Sequence, residues 1–401
     1  MASQDVIQNN SAQKIQKVET TMTSVVAAII SEQAINGKVG YDEFKAQFTF
    51  AKTGATKWSN FCDEDYTEIW IALEKSGYKN LSKELITRAA KFIAKQNKYD
   101  SAIDWLKDSV PAWDGIKRIE NFFSEYFNAE DSSYSKSVSN YVWSSLAGRV
   151  LVPGIKADMV AVLIGEQGCG KSTGVAAMCP DPNLFTEITL QTRDDDQARR
   201  MRGHLIAEIS ELRGINSRDE QSIKAFVSRT EENWIPKYQE FDVSYLRRIT
   251  FIGTTNEITF LSDRTGNRRW LPLEVGKVDL QKIKEDCLQL WAEARDTFLT
   301  KGVQWEEAER LAKEKHINHF ITDPWEEIVK DWIETNSINP LKITTNEALI
   351  NIINMDKNRI TKSEQMRMTN VFKAIGLIKT RDSQSTFWRF PDDSNEEIYP
   401  F

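Results

Sequence analysis

The 401 residues predict an α/β protein: a phosphate-loop core with a helical N-terminal domain before it and a small winged-helix-like domain after it. Three observations carry this. The apolar run 159–164 leads directly into Gly165-Glu166-Gln167-Gly168-Cys169-Gly170-Lys171-Ser172-Thr173. Further short apolar runs at 204–209, 249–253 and 270–274 are separated by helical or polar stretches, the alternation of an α/β core. Three helical-period segments and a two-strand pattern then close the chain. The expected divisions are a flexible lead over 1–19, a helical domain over 20–150, the phosphate-loop core over 151–322 and the winged-helix-like domain over 323–401.

The first twenty or so residues are polar, rich in Gln, Asn and Ser, and lack apolar periodicity. Beyond them, Tyr66, Ile69, Trp70 and Leu73 share a helical face, as do Leu85, Ile86, Ala89, Ala90 and Ile93. A loop near 128–133 precedes an amphipathic helix over 134–150, which stops before Pro153-Gly154. After the core strands, helices are predicted over 280–300 and 305–320. Asp323-Pro324-Trp325 then marks a boundary. Helices over 326–335, 346–353 and 363–375 follow, with strands at 377–380 and 386–390.

Composition sets limits on function. At 40% hydrophobic and 28% charged residues the chain reads as globular and cytosolic, without a signal peptide or a bilayer-spanning run. A net charge of −7 argues against indiscriminate coating of nucleic acid, yet allows a locally basic channel. Cys62, Cys169, Cys179 and Cys287 lack metal-ligand spacing and read as reduced thiols. His316 and His319 stand near one another without cysteine companions and are assigned no chemistry.

The stretch 165–173 predicts a nucleoside triphosphate site. Its glycines allow backbone N–H groups to point at the β- and γ-phosphates, Lys171 supplies a compact cation, and Ser172 offers a hydroxyl to Mg²⁺. A helix should start at Lys171. After the strand 204–207 come Glu208 and Glu211, the carboxylates that Mg²⁺ and an attacking water require. Glu208 is the expected metal-side acid, with either Glu208 or Glu211 accepting the proton. Such acids are also common as solvated strand ends. Asn256, at the exit of the third strand, is placed to sense a γ-phosphate or water, or simply to end the strand. Arg268 and Arg269 precede the fourth strand. Either can serve as a cation inserted into a neighbouring subunit's site, or form an ordinary surface ion pair.

Between the acidic and sensor strands, Lys224, Phe226, Arg229, Trp234, Lys237, Tyr238 and Phe241 interleave cations with rings, a mixture suited to single-stranded nucleic acid. A core helix over 224–228 and a plain hairpin over 234–242 are the structural alternatives.

Taken together, Gly-x-x-Gly-x-Gly-Lys-Ser-Thr, Ala-Glu-Ile-Ser-Glu, Lys-Ala-Phe, Thr-Thr-Asn and Asp-Arg-Thr-Gly-Asn-Arg-Arg resemble the virulence-associated protein E family, over roughly residues 100–390. Trp113-Asp114-Gly115-Ile116-Lys117-Arg118 and Asp323-Pro324-Trp325-Glu326 extend the likeness. The resemblance implies an AAA+, superfamily 3-type ATPase core. It further implies ATP and Mg²⁺, single-stranded or forked DNA, a homo-hexameric ring with Arg268 or Arg269 acting across the interface, and a phage or mobile-element replicative helicase in the bacterial cytoplasm. A separate primase or initiator is an implied partner, since no primase signature is present. Where the family shows a basic Tyr-Arg pattern, this chain has Glu231-Glu232-Asn233-Trp234-Ile235-Pro236-Lys237-Tyr238. The rivals are a P-loop phosphotransferase and an ATP-switched DNA-binding initiator or regulator that does not unwind.

Overall fold

A computed structural model describes residues 19–31, 35, 37–55, 57–189, 194–210, 217–234, 242–260, 267–316, 319, 323–336, 341–381 and 386–391. The chain opens with α1 (Met22–Ile30), β1 (Gly37–Asp42), β2 (Gln47–Lys52), β3 (Ser59–Asn60), α2 (Asp63–Lys75), α3 (Lys83–Gln96) and β4 (Lys98–Tyr99). The strands form a mixed sheet in the order β3-β2-β1-β4, with β1 antiparallel to β2 and parallel to β4. Val39 and Phe50 from the sheet join Ile69 and Leu73 of α2 and Ile86, Ala89 and Ile93 of α3 in one apolar cluster.

This sheet adds to the mainly helical N-terminal domain expected, in which no strands were foreseen. The two helix faces read from the sequence are present, but they pack with β1 and β2. Those strands are short and polar between their few buried positions, so alternation was weak. The turn between them is set by Ala46, which has a positive φ of 50°.

Next come α4 (Ser101–Asp104), a π-helical turn over Trp105–Ser109, α5 (Phe122–Phe127) and α6 (Ser133–Leu151). The core then follows in order: β5 (Val160–Ile164), α7 (Lys171–Ala177), β6 (Phe185–Ile188), α8 (Asp194–Met201), β7 (Ile206–Ser210), α9 (Ser217–Ser228), β8 (Glu231–Trp234), β9 (Val243–Leu246), β10 (Thr250–Thr255), β11 (Trp270–Glu274), α10 (Leu280–Lys301) and α11 (Glu306–His316). Five strands make a parallel sheet in the order β11-β5-β10-β7-β6.

Both faces of this sheet are covered, which explains why its strands read as unbroken apolar runs. Successive side chains point to opposite faces. Ala161 and Leu163 of β5 therefore enter a large cluster with Phe122, Trp143 and Trp291 from α5, α6 and α10, while Val160, Val162 and Ile164 join Ile223, Phe226 and Val227 of α9 on the other face. The β8–β9 hairpin sits outside the sheet as a separate antiparallel pair. The chain ends in α12 (Pro324–Asn336), α13 (Thr345–Asn351), α14 (Lys362–Ala374) and the antiparallel pair β12 (Ile378–Arg381) and β13 (Thr386–Arg389). Ile343 adds a bridge to Trp388, and Trp325, Val329, Leu349, Phe372 and Trp388 form that region's own apolar cluster.

Asp100 ties the N-terminal sheet to the parallel one. It caps α4 by accepting from the N–H groups of Ala102 and Ile103, and it pairs with Arg248, which lies just before β10; both side chains are buried. Asp100→Ala removes the cap and strands a buried guanidinium, at a cost of about 3–5 kcal/mol. The urea midpoint should fall accordingly, and Asp100→Leu combined with Arg248→Met should restore part of it. An unchanged midpoint for Asp100→Ala contradicts this reading of the joint.

Candidate functional site

The candidate site forms where the carboxyl ends of β5, β7 and β10 meet. In this sheet the strand next to β5 on one side is β10 and on the other β11, so the connections after β5 and β10 open a crevice at the point where strand order reverses. The loop after β5 needs its glycines. Gly170 has φ of 98° at the start of α7, and a Cβ on Gly165 would lie 2.6 Å from the Val275 carbonyl oxygen. The helix begins at Lys171, where the sequence places it, and runs seven residues.

Lys171 is buried by its own loop. Its Nζ donates to the carbonyl oxygens of Gly165 (2.7 Å) and Glu166 (2.9 Å) and to Asn256 Oδ1 (3.0 Å), and lies 3.7 Å from Cys169 Sγ. An ammonium has three protons, so these oxygens satisfy it. An incoming phosphate would compete with them, and Asn256, exposed at the end of β10, is the partner whose side chain is free to turn. Glu166, Gln167 and Gly168 form the exposed tip of the loop, and Thr173 is exposed one residue beyond Ser172.

Glu208, in the middle of β7, is fully buried. Its Oε1 accepts from the Ser172 hydroxyl at 2.6 Å and from the Thr254 hydroxyl. Its Oε2 is buried without a hydrogen-bond partner among the described residues. A buried carboxylate oxygen left unpaired costs free energy, and a cation beside it removes that cost. The donor set of one hydroxyl and one carboxylate fits Mg²⁺, which takes one or two protein oxygens and completes its shell with water and phosphate. Among the described residues no cluster of three or more His, Cys, Asp or Glu side chains is gathered for a metal. Thr254 is the site residue the sequence reading missed; the β10–β7 register, which pairs Thr254 with Ser210, brings it to Glu208.

The arginines stand at the other end of the same sheet. Trp270 pairs with Val160 at the start of β5, whereas the phosphate loop follows Ile164 at its end. Five residues at roughly 3.3 Å each separate the two places by on the order of 16 Å. Arg269 Nε donates to Ser228 Oγ at 2.7 Å and lies 3.7 Å from Asp158. Arg268 is about half exposed, with Glu309 at 3.9 Å.

Of the nucleic-acid candidates, Arg229 is partly exposed and lies 3.6 Å from Glu232, with its guanidinium 5.5 Å from the centre of the Phe226 ring. Lys224 is buried on α9 and does not face outward in this structure, which argues against it as a DNA contact. The helix alternative for 224–228 is what forms; of the hairpin expected over 234–242, only Trp234 at the end of β8 and Asp242 before β9 lie within the described residues, and the antiparallel strands β8 and β9 flank that stretch. Glu211, Lys237 and Tyr238 lie outside the described residues. The two histidines each meet a backbone carbonyl: His316 Nε2 that of Trp270 at 2.6 Å and His319 Nδ1 that of Ile258 at 2.8 Å. The four cysteines are free thiols.

The fold and this crevice define a parallel-sheet protein with a lysine-centred loop facing a buried carboxylate. The family model of the virulence-associated protein E-like domain matches residues 106–321, just over half of the chain. The chain belongs to that family, as its motifs implied. Two solved structures of similar fold are the A form apo structures of the NrS-1 C terminal region. One, with a TM-score of 0.50 and 12% identity, covers 91% of this chain and 99% of that one. The other, also at 0.50 and 12%, covers 90% and 98%. No curated protein matches the chain. Among the described residues no helix is long and apolar enough to cross a membrane.

Glu208→Gln keeps an oxygen for Ser172 and Thr254 while deleting the charge. Binding of a fluorescent ATP analogue should then lose its Mg²⁺-dependent enhancement and keep the affinity measured in EDTA. An enhancement equal to that of the parent protein excludes Glu208 from the metal site.

Proposed function

We propose that the chain is an ATP-dependent replicative DNA helicase of phage or mobile-element type, working as a closed ring on single-stranded or forked DNA. The observation that carries this reading is the division of the parallel sheet. Lys171, Ser172, Glu208 and Asn256 converge at its carboxyl end, and a half-exposed Arg268 stands at its amino end. A head-to-tail ring brings one end of each subunit to the other end of its neighbour.

In this reading Lys171 leaves its loop carbonyls for the β- and γ-phosphates and Asn256 turns to the γ-phosphate or the attacking water. Ser172 and Glu208 hold Mg²⁺, which supplies charge neutralisation on the phosphate oxygens when bound. Glu208 is already engaged by two hydroxyls, so Glu211 is the better acceptor for the proton of the hydrolytic water. Arg268 of the adjacent subunit supplies transition-state charge, worth about 10³–10⁵ in turnover in well-studied triphosphatases. Arg269, tied to Ser228 and Asp158, positions its neighbour. Arg229, just before β8, and Lys237 and Tyr238, between β8 and β9 in the sequence, are the DNA-contacting candidates.

A second reading, an ATP-switched initiator, draws on the C-terminal region. Its three helices and strand pair have the order of a winged helix, with Lys357, Arg359, Lys362, Lys373, Lys379 and Arg381 giving it a basic bias. Arg367 is already held by Asp323, at 2.7 Å.

Strand displacement on forked DNA of either polarity, run beside ATP turnover with and without single strands, separates the two. The helicase reading expects turnover stimulated by single strands and displacement of one fork polarity, both abolished in Lys171→Ala. ATP hydrolysis by assembled protein that displaces neither fork contradicts it.

A further inference from the structure

A second feature suited to nucleic acid lies on the N-terminal sheet, away from the hairpin tip. A groove of about 840 Å³ runs between β2, α2 and α3 and reaches Arg202, the residue after α8. At one end Asp63 and Glu64 line it, and Asp63 is paired with Lys83 at 3.6 Å. Lys91 follows Lys83 by eight residues on the same helix, about 12 Å further along. There the character changes.

At that end Tyr41 and Phe48 face each other across β1 and β2, edge to face, with ring centres 5.3 Å apart. Cations surround the pair. Lys95 Nζ lies 3.4 Å from the centre of the Tyr41 ring, beside the groove, and Lys91 Nζ lies 5.9 Å from that of Phe48; Phe48, Lys91 and Arg202 line the groove itself. The nearby acid, Glu43, is taken up by Lys98 at 3.0 Å. Burial and the neighbouring Lys98 pull the Lys95 ammonium below its ordinary range, and burial does the same to the Arg202 guanidinium. The Arg202 Nε is buried without a hydrogen-bond partner among the described residues. Cations held this close to one another and short of acids call for an anionic occupant.

The groove is also joined to the hairpin. The Arg202 guanidinium lies 5.2 Å from the centre of the Trp234 ring in β8, and Tyr245 of β9 donates its hydroxyl to the Phe44 carbonyl at 2.7 Å, beside the turn between β1 and β2. Arg202 therefore stands between the buried Trp234 of the hairpin and the groove.

We infer that the Tyr41–Phe48 ring pair, with Lys91, Lys95 and Arg202 around it, is a binding site for single-stranded nucleic acid, continuous with the β8–β9 hairpin. Cations beside half-buried rings suit phosphates joined to bases, because the part of a ring left open gives stacking surface that an acidic peptide does not use. The site deepens the helicase reading, since it extends the path of the strand, but it requires neither ATP nor hydrolysis.

The test is fluorescence anisotropy of a labelled oligothymidine with the full chain, without nucleotide, over a range of salt. Lys91→Glu sits on an exposed helix face and should keep the parent's unfolding midpoint. It should weaken binding about fivefold or more and make the dependence of log affinity on log salt shallower by about 0.7 for each phosphate it no longer neutralises. Phe48→Leu should lose affinity to a similar degree while leaving the salt slope unchanged, which a merely electrostatic patch would not show. Parent-like affinity and slope in folded Lys91→Glu overturn the inference. So does a loss confined to labelled polyglutamate, which would assign the groove to an acidic peptide. Failure of the helicase reading looks different: ATP would not be turned over, while both groove variants would still bind oligothymidine weakly.

Discussion

The register of the parallel sheet governs everything placed on it. Because β5 lies between β10 and β11, with Ile164 level with Thr255 on one side and Glu274 on the other, the residues that follow these strands arrive at one edge together. That is how Lys171 meets Asn256 although 85 positions separate them, and how Ser172 meets Glu208. The same register sends Arg268 and Arg269 to the opposite edge. No side-chain rotation brings a guanidinium from there to Lys171 of the same subunit, so a contribution from Arg268 or Arg269 to this site would have to come from another copy.

Three buried arginines hold the amino edge in shape. Arg247, before β10, is paired with Glu232 of β8 and fixes the base of the hairpin against Phe226 and Phe251. Arg248 holds Asp100. Arg149, near the end of α6, reaches the carbonyl oxygens of Arg247 and Ala157, and burial with Arg247 nearby lowers it to about 10. The three link the hairpin, the N-terminal sheet and the start of β5, the strand that ends in the phosphate loop.

Local signals made much of this legible from the residues. Helices α6 and α10 fall within a residue or two of their expected bounds, but α6 is not the amphipathic helix expected: residues 141–150 are all buried, so it runs through the core and its ends were legible from the loop before it and Pro153-Gly154 after it. Lys171 and Ser172 were legible because their chemistry is written in consecutive residues. β6 was not: it is an edge strand whose Thr186 and Glu187 break any apolar run, and Pro180 and Pro182 precede it. Pairings between distant strands were equally hidden. Thr254 at Glu208, Ser228 at Arg269 and the burial of Lys224 each depend on register or on which helix face turns inward, and neither is encoded by neighbouring residues.

The central claim is that each ATP site is shared between two subunits, and mixing of two inactive variants tests it most directly. Lys171→Ala lacks the carboxyl-edge half and Arg268→Ala the amino-edge half, so rings containing both should include some interfaces with both halves intact. The account predicts partial recovery of ATP turnover when the two are mixed under conditions where subunits exchange. No recovery despite demonstrated mixed assembly, or full turnover by Arg268→Ala as an isolated monomer, would contradict it.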